Sequence, residues 1–108
     1  WCAAWVTNVF QSAGIGYFGG NACDMCRAYC TSTNVRDLKV GMIIADVSHP
    51  GTGEAGRLYG HVGIYIGDNK VISNEGPITI KSLQEFVGFY GKGTGCKWGW
   101  IGGVDLSK

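Results

Sequence analysis

Two residues of this chain have types and positions that suit nucleophilic chemistry, Cys2 near the start and His61 in the second half. A thiol in the first turn of a helix faces the positive end of the helix dipole and free backbone N–H groups, and both favour the thiolate. A cysteine at such a position alone is as often a buried structural residue. An imidazole within reach makes it a nucleophile with its own general base, so the pair predicts nucleophilic catalysis.

The chain has only two histidines, so the base is either His61 or His49. His61 begins a predicted strand beside Gly60 and Gly63, which lack side chains and leave room for a substrate. His49 lies in a Pro-Gly loop, in which we expect its ring to be held poorly. We therefore predict His61 as the base.

A third polar residue should accept the other N–H of the imidazole, and the register of the following hairpin selects it. If residues 68–69 form a two-residue turn, counting back along both strands makes Asn74 the diagonal neighbour of His61. Ser73 and Glu75 would then point to the opposite face of the sheet. A one-residue bulge would reverse this choice. In the regular register, Asn74 is the predicted orienting residue.

The hydrophobic pattern predicts helices first and an antiparallel sheet second, which is an α+β fold. Helical spacing extends over residues 2–13, and a short helix is expected over 23–30. Strands are expected over residues 42–47, 60–66, 71–74, 78–80 and 98–101, with a surface loop over 48–56. Ser82 and Glu85 form a capping box, which predicts a helix that begins after Ser82.

The composition indicates one domain over residues 1–108 and excludes two classes of partner. Of the 108 residues, 45% are hydrophobic and 16% are charged, which fits a single buried core. A formal net charge of +1 provides no basic surface for nucleic acid. The longest apolar run is far shorter than the ~20 residues of a membrane span. We expect a soluble monomer that is part of a longer native chain, because the sequence begins at Trp1 without a leader-like segment.

Two segments resemble motifs of CHAP and NlpC-type cell-wall peptidases. WCAAWV at 1–6 resembles the nucleophile motif of CHAP domains, and GHVGIYIG at 60–67 with KVI at 70–72 resembles the histidine hairpin of both families. LKVG at 38–41 is similar to the approach to the first strand of these families. Met42 and Ser73 stand where NlpC enzymes have Asp and a third His, which favours the CHAP-like subgroup with an Asn.

The resemblance implies a papain-like fold in which Cys2 is the nucleophile, His61 the base and Asn74 the orienting residue. It further implies a thiol hydrolase that cleaves amide bonds in the stem peptides of bacterial peptidoglycan, without a cofactor or a metal. Such an enzyme is secreted or associated with the cell wall, and is of bacterial or phage origin. The alternatives are an amidase that cuts between the sugar and the first alanine, and a wall-binding or toxin-like module with a vestigial site.

The remaining aromatic and cysteine residues leave several interpretations open. The candidates for a substrate cleft wall, each of which also suits the core, are Trp5, Tyr17, Tyr59 and Trp98. Outside the cytoplasm, two disulfides among four cysteines would persist, and the candidates are Cys23, Cys26, Cys30 and Cys96. Free thiols or a four-thiolate zinc site are the alternatives, although Cys96 has no partner near it in sequence.

Overall fold

The computed structural model describes residues 1–108 and contains four α-helices and five β-strands. The helices are α1 (Cys2–Ser12), α2 (Ala22–Tyr29), α3 (Gly53–Tyr59) and α4 (Leu83–Tyr90). The strands are β1 (Ile43–Asp46), β2 (His61–Gly67), β3 (Lys70–Asn74), β4 (Ile78–Ser82) and β5 (Cys96–Gly99). Short 3₁₀ turns occupy Val35–Asp37 and Ile101–Gly103. The predicted α+β class is confirmed.

All five strands form one antiparallel sheet in the order β4-β3-β2-β1-β5. The strand β1 lies between β2 and β5 and is buried on both faces, so its consecutive apolar residues alternate between two cores. Ile43 and Ala45 pack under α1 and α2, whereas Ile44 packs with α4 on the other face. This arrangement places the N-terminus of α1 against one face of the sheet and α4 against the other. No helix is long and apolar enough to cross a membrane.

The hairpin between β2 and β3 contains a bulge, so its register differs from the regular one predicted from the sequence. Gly67 pairs with Lys70, as predicted, but Tyr65 pairs with Val71, so Ile66 is the extra residue. The cause is a left-handed stretch, because the turn residues Asp68 and Asn69 have positive φ angles (54° and 63°) and Gly67 has φ 83°. A glycine in this conformation beside such a turn is typical of a bulge. The predicted register is therefore wrong by one residue from Tyr65 back to His61.

Two local elements differ in how well the sequence predicts them. The capping box of α4 is confirmed: Ser82 Oγ accepts from the Glu85 N–H at 3.1 Å, and the Glu85 carboxylate accepts from the Ser82 N–H at 3.2 Å. The segment predicted as a loop instead contains α3, whose glycines have low helix propensity. A tertiary contact holds α3 in place, since the His49 N–H donates to Gly56 O at 3.2 Å.

Candidate active site

A cavity of about 770 Å³ opens where the first turn of α1, the start of β2, the end of β3, α3 and the end of α4 meet. Cys2 and His61 both line this cavity, although they are far apart in sequence. Further lining residues discussed below are Thr52, Tyr59, Asn74, Glu75, Phe89 and Tyr90. The fold therefore brings the predicted nucleophile and the predicted base to one space that a substrate can enter.

Cys2 is half-buried in the first turn of α1, as predicted, but its thiol is not poised as a thiolate. Burial raises its pKa above the usual value for a thiol. The backbone N–H groups of Val62 and Ala3 lie near the sulfur and lower the pKa, but they offset burial only in part. Burial therefore opposes the predicted thiolate, because loss of solvation outweighs the stabilising N–H groups. The proximity of Val62, which follows His61, places the sulfur next to the start of β2.

His61 is buried, with 8% of its surface exposed, and the ring of Tyr90 stacks on its imidazole. The two ring centroids are 3.9 Å apart, and the planes differ by 6°. Burial lowers the pKa of His61 to about 4, while the charge of Glu75 opposes this shift. Near neutral pH, His61 is thus a neutral imidazole that can accept a proton.

Ser73, rather than Asn74, is the residue behind the imidazole of His61. The distance from His61 Nε2 to Ser73 Oγ is 3.0 Å, and Ser73 Oγ donates to Glu75 Oε2 at 3.2 Å. The bulge at Ile66 produces this outcome, because it reverses which β3 side chains share a face with His61. Asn74 lines the cavity, but its Oδ1 accepts from the Gly76 N–H at 3.1 Å and closes the turn after β3.

His49 is one of the most firmly held side chains, which contradicts the expectation of a poorly held loop residue. It is 2% exposed. Its Nδ1 lies 2.7 Å from Asp46 Oδ2, and its Nε2 lies 2.8 Å from Thr52 Oγ1. The other Asp46 oxygen accepts from the backbone N–H of His61 at 3.1 Å. Burial raises the pKa of Asp46, and the bonds from the two histidines offset this in part. One buried carboxylate therefore positions both the base and the loop that leads into α3.

Of the four aromatic residues predicted for a cleft wall, only Tyr59 lines the cavity. Trp98 is buried in the core beneath α4, and its Nε1 donates to Asn34 O at 2.9 Å. Trp5 packs against the core under α1, and Tyr17 is exposed away from the cavity. Phe89 and Tyr90 instead form, with Tyr59, the aromatic part of the cavity wall. The apolar spacing of α4 suggests a buried helix face but does not indicate that its last turn reaches the cavity.

The predicted disulfides are absent, and all five cysteines are free thiols in the structure. Cys26 and Cys30 interact through their thiols, and this contact lowers the pKa of Cys26 and raises that of Cys30. They are one helical turn apart, a spacing that holds Cβ atoms about 5–6 Å apart. A disulfide needs about 3.5–4.5 Å. Cys96 packs in the core on the opposite face of the sheet, where burial raises its pKa to about 12. This packing separates it from Cys26 and Cys30 at the end of α2.

The protonated state of the Cys2 thiol has a direct chemical consequence. Iodoacetamide reacts with the thiolate, so we expect Cys2 to be alkylated more slowly at pH 7 than an unburied cysteine. The rate should continue to rise above about pH 9, because the pKa of the thiol is raised. Mass spectrometry of the N-terminal peptide measures this rate separately from the other cysteines. A rate that levels off near neutral pH would instead indicate a thiolate and imidazolium pair.

Sequence reasoning missed Asp46, gave His49 no role in the site, and named Ser73 and Glu75 only as the residues that a bulge would favour. The signal for Ser73 and Glu75 was Gly67 before the turn, which is compatible with a bulge. The signal for Asp46 was an ionisable residue at the end of an otherwise apolar strand, because a buried carboxylate needs partners. No three histidine, cysteine, aspartate or glutamate side chains are grouped so that they could bind a metal ion.

The chain matches no protein-family model, no curated protein and no solved structure. The functional assignment therefore depends on the residues that line the cavity and on the contacts behind them.

Proposed function

We propose that this chain is a papain-like cysteine hydrolase of the CHAP or NlpC type that cleaves amide bonds in the stem peptides of bacterial peptidoglycan. The observation that carries the proposal is that Cys2 and His61 line one cavity of about 770 Å³. The two motifs that contain them resemble those of these families and occur in the same order. An enzyme with this substrate acts outside the cytoplasm, secreted or attached to the wall.

The reaction begins from a neutral thiol and a neutral imidazole. His61 Nε2 is occupied by Ser73, so Nδ1 is the nitrogen available to Cys2. The proton moves from the sulfur to Nδ1 while the sulfur attacks the amide carbonyl carbon. The backbone N–H of Cys2 donates to the resulting oxyanion. The imidazolium then protonates the leaving amine as the C–N bond breaks, and water hydrolyses the thioester to a carboxylic acid and the free thiol.

Hydrolysis requires neutral His61, so its pKa sets the acidic limit of activity. With a pKa of about 4, kcat/KM should stay nearly constant from pH 7 down to about pH 5 and fall below that. The groups that face the imidazole are Glu75, which raises its pKa, and His49 and Lys81, which lower it. The folded state also resists protonation of His61, so its contribution to stability is lost as pH falls from about 6.5 through 4. Circular dichroism at each pH separates unfolding from the kinetic effect, and a half-maximal rate near pH 6.5 would contradict the prediction.

Digestion of purified peptidoglycan tests the proposed function directly. The wild-type protein and a Cys2→Ala control are incubated with sacculi, and the soluble fragments are identified by mass spectrometry. Cleaved stem peptides with new amino and carboxyl ends are the expected result. Glycan strands stripped of intact peptides would indicate the amidase alternative. Release by neither protein, with wild-type binding to sacculi, would indicate a wall-binding module.

A further inference from the structure

A continuous line of polar contacts extends behind His61 and ends on a lysine. His61 Nε2 contacts Ser73 Oγ at 3.0 Å, and Ser73 Oγ contacts Glu75 Oε2 at 3.2 Å. Lys81 Nζ donates to the other Glu75 oxygen at 2.7 Å. The side chains of Lys81 and Glu75 are 27% and 16% exposed, so this ion pair is largely shielded from water. The four side chains come from β2, β4 and the end of β3.

The direction of each hydrogen bond in this line follows from its lysine end. An ammonium group has only donors, so it requires Glu75 to accept. Burial raises the pKa of Glu75, but bonds from Lys81, Tyr90 and Ser73 outweigh it and the net pKa is lowered. Glu75 is therefore an ionised acceptor, and the single hydroxyl proton of Ser73 points towards it. Ser73 Oγ has only lone pairs left for His61, so the imidazole must carry its proton on Nε2.

We propose that Glu75, acting through Ser73, is a positioning residue that holds the proton of His61 on Nε2 and keeps Nδ1 unprotonated for Cys2. This inference rests on the proposed function only in assigning His61 as the base. The placement of the proton follows from the contacts themselves. Glu75 need not touch the substrate to act in this way, because it exerts its effect through the orientation of one hydroxyl group.

These contacts predict that Glu75→Gln, the more conservative substitution, lowers activity more than Glu75→Ala. In Glu75→Gln, Lys81 still donates, so it selects the carbonyl oxygen of the introduced amide and turns its NH₂ group towards Ser73. Ser73 then accepts from the amide and donates its own proton to His61 Nε2. The imidazole proton moves to Nδ1, which can no longer accept from Cys2. In Glu75→Ala, the Ser73 hydroxyl is free to rotate, and part of the population keeps the productive tautomer.

We expect Glu75→Gln to lower kcat on the order of 10²- to 10⁴-fold, with KM changed by less than about threefold, because the wrong tautomer blocks the chemical step. Glu75→Ala should lower kcat by only about tenfold. Glu54→Gln is the matched control, because Glu54 is an exposed carboxylate paired with Arg57 away from the cavity lining. Its kcat should equal that of the wild type. A residue that served packing alone would show the opposite order, with alanine more harmful than glutamine.

Nitrogen-15 NMR of the histidine rings reports the tautomer independently of any substrate. The wild type and Glu54→Gln should show His61 protonated at Nε2, Glu75→Gln should show it at Nδ1, and Ser73→Ala should lose the preference. An Nδ1–H tautomer in the wild type would overturn the proposal, even if no variant could be purified. So would an unchanged tautomer in Glu75→Gln. If Glu75→Gln inverts the tautomer but the wild type hydrolyses no peptidoglycan, the positioning role of Glu75 is supported and the proposed function is wrong.

Discussion

Replacement of Cys2 by serine is expected to abolish amide hydrolysis, with a loss of at least about 10⁴-fold in kcat. A hydroxyl is far harder to deprotonate than a thiol, and His61 is a weak base here because burial lowers its pKa to about 4. The serine occupies nearly the same volume, so Cys2→Ser should fold like the wild type. Hydrolysis of soluble stem-peptide fragments, measured beside thermal unfolding, checks both expectations.

The control for this substitution is Cys23→Ser, which makes the same change at a buried position on α2 outside the cavity lining. It should retain wild-type kcat whenever it folds. Folded Cys2→Ser protein that kept substantial turnover would remove Cys2 as the nucleophile. Loss of activity in both variants with intact folds would mean that hydrolysis does not depend on the thiol of Cys2 in particular.

Replacement of Asp46 by alanine is expected to give the largest loss of stability, about 3–5 kcal/mol in the free energy of unfolding. The Asp46 side chain is fully buried and receives hydrogen bonds from the His49 ring and the His61 backbone. Removing it leaves a buried imidazole nitrogen and a buried N–H without partners. Urea denaturation followed by circular dichroism measures the change.

A matched comparison comes from Glu54→Ala, which breaks another acid–base pair at a spacing of three residues. The Glu54 and Arg57 side chains are 72% and 65% exposed, whereas those of Asp46 and His49 are 0% and 1% exposed. We expect the exposed pair to contribute less than about 1 kcal/mol. Similar losses for the two variants would show that the buried carboxylate does not hold the site together.

The local patterns of the sequence predict most of the framework, while the contacts that finish the site depend on tertiary structure. The α4 capping box and the helical stripe of α1 act over three or four residues and are confirmed. The short helix α3 escaped prediction because its stability comes from His49 rather than from its own propensity. The acid–base state of Cys2 also escaped it, because desolvation depends on everything that packs around the sulfur.

The third residue of the site shows that one backbone detail can change which β3 side chain lies behind His61. Counting residue pairs back from the turn is a sound way to assign the faces of a hairpin, and it correctly pairs Gly67 with Lys70. The bulge at Ile66 then moves Ser73 behind His61 and leaves Asn74 at the turn. A sequence alone does not decide between a regular strand and a bulge when a glycine precedes the turn, since both are compatible with it.

The bulge also means that the register of the hairpin and the identity of the third residue are linked in this fold. Pairing Ile66 with Val71 would remove the bulge, shift β2 by one residue against β3 and place Asn74 instead of Ser73 behind His61, with no substitution at either position. Two homologues that differ only in this bulge would align without a gap and yet use third residues from neighbouring alignment columns. Column-by-column comparison would then match residues with different roles, and only the strand register would reveal the exchange.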